Sequence, residues 1–84
     1  MAYVGTFAQC LTVAGRRLSE GVGRVVVLWQ CNEGDIWNCA SYEATQKRPG
    51  LVDVREVYRY IVIDYEMLRT ILIWEALNIL KEAN

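Results

Sequence analysis

Apolar residues recur at helical spacing along the first twenty positions. Val4, Phe7, Leu11, Ala14 and Leu18 stand 3, 4, 3 and 4 residues apart, which is one stripe of an α-helix from about Tyr3 to Glu20. Arg16 and Arg17 suit the negative pole of that helix, and Gly21 suits its C-terminal cap. After Gly23 the period changes. "RVVVLWQC" is β-branched and apolar, and "DIWNCASYEAT" follows across "NEG", so two strands joined by a hairpin are predicted. A three-residue loop, Asn32-Glu33-Gly34, places Gly34 in the left-handed position of a bulge, so that Trp29 faces Trp37 and Val27 faces Cys39. A two-residue Glu33-Gly34 turn pairs Cys31 with Ile36 and Arg24 with Glu43 instead. The first register is favoured, because glycine follows the turn there without strain.

Beyond Pro49-Gly50 two readings compete. Asp53 and Glu56 have the spacing of a capping box and could open a single helix to Ala83, about 45 Å long. Alternatively, "LVDVREVYRYIVI" is a strand through Ile63, and Asp64 caps a shorter helix. Val52, Val54, Tyr58, Tyr60 and Val62 then share a face, interrupted by Glu56. Helices of such length are rare in so short a chain, and a third strand gives the hairpin a face worth packing. The strand-then-helix reading is preferred. In the final helix Leu68, Leu72, Ala76 and Ile79 form one stripe, and Met67, Ile71, Trp74 and Leu77 form a second beside it. Too few polar residues remain to solvate a full side.

These elements predict one small α+β domain over residues 1–84. It has two layers, with a helix, a three-stranded antiparallel meander and a second helix, both helices on one face. The alternative is a β-hairpin with a single long C-terminal helix. Double-stranded-RNA-binding domains share the helix–three strands–helix order, but their last helix opens on basic residues. Here it opens Asp64-Tyr-Glu-Met, and no RNA-binding function is carried over.

Composition adds one demand and several exclusions. Of 84 residues, 54% are hydrophobic, with three Trp and five Tyr. A chain this short cannot bury them all, so a protein partner is expected, first of all a second copy. Nine Lys and Arg stand against ten Asp and Glu, and neither Arg16-Arg17 nor Lys47-Arg48 makes a phosphate-tracking surface, so nucleic acid is not the expected partner. Asp64, Glu66, Arg69 and Glu75 interrupt the most apolar window at about 3 kcal/mol each against membrane insertion. Without a secretory leader pattern, a cytoplasmic protein is expected. Cys10, Cys31 and Cys39 form an odd set without a C-x-x-C pair, which predicts buried free thiols.

The chain contains no histidine, which removes Ser-His, Cys-His and His-metal chemistry, and its glycines form no phosphate-binding loop. No catalytic, cofactor or metal residues are assigned. Asp64 and Glu75 would lie about 16 Å apart along a helix, too far to act on one bond. What remains is an aromatic surface: Trp29, Trp37, Tyr42, Tyr58 and Tyr60 on the sheet, with Arg55, Arg59 and Glu43 at its edges, and Trp74 on the helix. Such a surface suits a protein interface. The expected function is that of a non-enzymatic binding or inhibitor-type accessory protein, the sort mobile elements encode, acting as a homo-oligomer or on a heterologous protein target. The alternative is a small-molecule binder with an aromatic-lined pocket, and a nucleic-acid-binding module ranks below both.

Overall fold

The computed structural model describes residues 2–30, 36–48 and 51–83, with side chains for 2–30, 36–45 and 53–78. Its elements run β1 (Ala2–Val4), α1 (Phe7–Ser19), β2 (Arg24–Gln30), β3 (Trp37–Arg48), β4 (Leu51–Val62) and α2 (Tyr65–Ala83). The strands form one open sheet in the order β1-β2-β3-β4. The class is α+β, and the last three strands form the antiparallel meander expected from the sequence. The single long helix is excluded, since residues 51–62 pair with β3.

Several features differ from expectation. Ala2–Val4 is not helix but a short edge strand, parallel to β2, and the helix begins after Thr6. Thr6 caps it reciprocally: Gln9 N–H donates to Thr6 Oγ1 at 3.2 Å, and Thr6 N–H donates to Gln9 Oε1 at 3.0 Å. This is a capping box with glutamine in the third position. The other end closes as the sequence suggests. Gly21 takes a φ of +100°, its N–H reaches the Leu18 carbonyl, and Val22 N–H reaches that of Arg17. This is the paired bonding of a Schellman motif.

The second difference is the layering. The helices lie on opposite faces of the sheet, not on one. Cys10, Ala14 and Leu18 of α1 pack on Val25, Val27, Trp29, Ala40 and Tyr42. Leu68, Ile71 and Leu72 of α2 pack toward Val26, Leu28 and Cys39. The cause is β2, whose residues Val25–Trp29 are all buried. A strand apolar on both sides needs cover on both.

The β2–β3 register is also the less favoured of the two: Arg24 pairs with Glu43, Val27 with Ala40 and Trp29 with Asn38. A one-residue slip exchanges every side chain between faces, so Trp29 and Trp37 lie on opposite sides of the sheet. The turns at Asn32-Glu33-Gly34 and Pro49-Gly50, and Cys31 with them, lie outside the described residues. On β4 the register shifts as Tyr58 pairs with Ser41 but Glu56 with Tyr42, which leaves Val57 as an extra residue. This bulge turns Val54 and Glu56 to the α1 face, while Tyr58, Tyr60 and Val62 keep to the α2 face.

Candidate functional site

Polar chemistry is gathered between the sheet and α2. Arg24 opens β2 on the α2 face, Ser41 and Tyr58 are paired neighbours on β3 and β4, and Glu75 comes down from the helix. α2 starts as the sequence suggests, with Met67 N–H donating to Asp64 Oδ1 at 2.8 Å, the carboxylate cap of a helix N-terminus. That cap fixes the phase of the helix. Leu68, Ile71, Leu72 and Glu75, spaced 3, 1 and 3 apart, then point at the sheet. Ala76 and Leu77, read from sequence as members of the apolar stripes, point outward instead, and Trp74 stands at the flank of the helix.

Glu75 is 5% exposed. Its Oε1 accepts from the Tyr58 hydroxyl at 2.8 Å. Its Oε2 lies 3.3 Å from Arg24 Nε, near enough for charge attraction. However, Arg24 Nε carries one N–H, and that donates to Ser41 Oγ at 2.8 Å. Oε2 therefore accepts no hydrogen bond among the described residues. The Arg24 guanidinium also stands 5.7 Å from the Tyr58 ring centre, a cation–π contact. Burial, then the bond to Glu75, holds the Tyr58 hydroxyl well above its ordinary range. Burial, then the charge of Glu75, pushes the Cys39 thiol up to about 11.

A cavity of about 350 Å³ opens on this cluster. Tyr58 and Tyr60 line one wall with ring centres 5.1 Å apart. Trp74 stands on the helix side, with Thr70 and Asn78 also lining the space. Glu75 thus offers a buried acceptor to a cavity walled by π-faces.

Of the residues predicted to form one aromatic surface, only part meets here. Tyr58, Tyr60 and Trp74 do. Trp37 is on the same face but lines a separate apolar cavity with Val4, Leu28, Val62 and Leu68. Trp29 and Tyr42 are buried on the α1 face. Arg59 joins them there, 5.1 Å from the Trp29 ring and 5.4 Å from Phe7. Glu56 accepts from Arg59 Nε at 2.8 Å and from the Tyr42 hydroxyl at 3.1 Å. Arg55 and Glu43 form an exposed cross-strand ion pair. Arg24 and Glu75 were absent from the predicted surface. The signal for Glu75 was a carboxylate set among Leu68, Ile71 and Leu72 at helical spacing.

Comparison with known protein families, curated proteins and solved structures finds no match to this chain. Function therefore rests on the geometry. The nucleophiles give no support for an activated centre. Cys10 is buried under α1, where its thiol donates to the Leu28 carbonyl at 3.4 Å, and burial raises its pKa. Cys39 is likewise a free, buried thiol. Among the described residues, no helix is long and apolar enough to cross a membrane.

Proposed function

We propose that this protein is a non-enzymatic binding protein of the accessory or inhibitor type, acting through a protein interface and assembling with a second copy of itself. The observation that carries this reading is the outward face of α2. Tyr65 is 77% exposed, Ile73 48% and Leu77 58%, and only Glu66, Arg69 and Thr70 interrupt them. Single exposed apolar residues are common on soluble proteins, but a helix face dominated by them marks a contact surface. A second copy is the cover always present in equal amount, and closed self-association is the commonest way such a face is satisfied.

The sheet edge is a poorer contact. β4 carries exposed Asp53, Arg55, Glu56 and Arg59 beside its bulge, features that discourage edge-to-edge pairing. Both sheet faces already carry helices, which leaves α2. Sedimentation equilibrium at tens of micromolar tests the reading. A dimer or larger species is expected, converted to monomer by Ile73→Glu with Leu77→Glu while far-UV circular dichroism is unchanged. A monomeric native protein would sink it.

A second reading, binding of a small molecule under α2, is favoured by one specific observation: an oxygen of buried Glu75, unsatisfied among the described residues, at an aromatic-lined cavity.

A further inference from the structure

We propose that the cavity between β4 and α2 binds a small, uncharged planar ring carrying an N–H donor on its edge, an aminopurine or aminopyrimidine. The inference rests on the ligand-binding reading above and adds the class of ligand.

The donor requirement comes from Glu75. A carboxylate 5% exposed has one oxygen satisfied by Tyr58 and the other without a hydrogen bond among the described residues. That oxygen is already withdrawn from water without a hydrogen bond among the described residues in exchange, and a purely apolar ligand would leave that cost in place. A ligand N–H aimed at Oε2 supplies the missing partner, and a donor to a charged acceptor is among the stronger hydrogen bonds.

The lack of net charge comes from Arg24. Its guanidinium and the Glu75 carboxylate face each other at 3.3 Å and largely cancel. A phosphate entering the cavity would meet the carboxylate, and an ammonium would meet the guanidinium. Planarity comes from the walls. Tyr58 and Tyr60 stand side by side, and Trp74, 65% exposed, flanks the space from the helix. Flat heteroaromatic rings stack on such faces at about 1–3 kcal/mol per ring. About 350 Å³ accommodates a one- or two-ring ligand, at the lower end of small-molecule sites.

The test is a calorimetric titration of the full chain with 2-amino-9-methylpurine and with 9-methylpurine. These two probes differ only by the exocyclic amine, and the second has no N–H. The amino compound is expected to bind about tenfold more tightly, the ratio that about 1.4 kcal/mol represents. It should shift the Trp74 indole N–H in a proton–nitrogen correlation spectrum, and Trp74→Ala should weaken both probes at least tenfold. Glu75→Gln should abolish the preference between them. Because that variant alters a buried pair, the comparison of the two probes on native protein stands as the deciding measurement. Equal affinities would overturn the donor assignment and leave the ligand-binding reading standing. Tighter binding of benzyltrimethylammonium, an aromatic cation without an N–H, would overturn the uncharged class in favour of a cation cage. If none of the three probes binds and the Trp74 signal does not move, both the inference and the reading beneath it fall. The homo-oligomer is judged separately, by sedimentation.

Discussion

On one side of the sheet, α1 sets Cys10, Ala14 and Leu18 against Val25, Val27 and Trp29, and every one of these is buried. On the other, α2 sets Leu68, Ile71 and Leu72 against Val26 and Leu28, and the three helix residues remain half-exposed. The α1 side is a closed seam that joins small and branched side chains to Trp29 and Tyr42. The α2 side holds an ion pair, a cavity and a helix whose outer face is still apolar. The tighter packing lies on the first side and the buried polar groups on the second, and the two can be separated by experiment.

The largest contrast is expected from truncation of the core. Leu18→Ala should cost about 3–4 kcal/mol in urea unfolding, typical of a fully buried leucine that leaves a cavity. Leu72→Ala, half-buried, should cost less than half as much. Equal losses would mean that the two sides are packed alike.

Next is the buried pair. Arg24→Met leaves Glu75 buried without its counter-charge and should cost about 3 kcal/mol. Adding Glu75→Leu should restore most of that, because the desolvated carboxylate goes too. Failure of the double variant to recover would show that the pair contributes more than its own compensation.

Alkaline pH should then weaken the α2 side. Cys39 titrates at about 11 in the fold against an ordinary value of 9.0, so the folded state favours the neutral thiol. The stability tied to this group is complete below about pH 9 and is lost as pH rises from 9 toward 11, with a magnitude of order 2 kcal/mol. Tyr58, also shifted upward, adds a loss in the same direction. Cys39→Ala should flatten the early part of this profile when the midpoint of thermal unfolding is followed against pH.

The smallest effect belongs to the α1 side. Arg59→Ala removes the cation over Phe7 and Trp29 and an exposed ion pair with Glu56, together worth about 1 kcal/mol.

Much of the fold was legible in the sequence, and the reasons for the misses are specific. The 3-and-4 spacing of α1, Gly21 as its cap, the β4–α2 junction and the Asp64 cap all follow local rules that the structure obeys. The side of the sheet each helix covers does not. Five consecutive apolar residues in β2 signal burial on both faces, yet the run carries no alternation to say which register its partner takes. The alternation of polar and apolar positions could therefore not foresee the slip that separates Trp29 from Trp37. In β4 the alternation was read straight through Glu56, because a bulge has no mark at Val57. The candidate site was half legible. Tyr58, Tyr60 and Trp74 stood out as aromatics, whereas Arg24 and Glu75 are separated by 51 positions and become neighbours only once helix and sheet are assembled.

The extra residue at Val57 has a consequence for how this chain can vary. It acts as a phase shift within a single strand: Val54 and Glu56 face α1 before it, and Tyr58, Tyr60 and Val62 face α2 after it. Removing that one residue would leave Glu56 opposite Tyr42 and Tyr58 opposite Ser41 as regular neighbours, so no side chain would change faces. A single-codon deletion here would thus straighten the strand without exchanging its faces, and most substitutions at the same position would be absorbed.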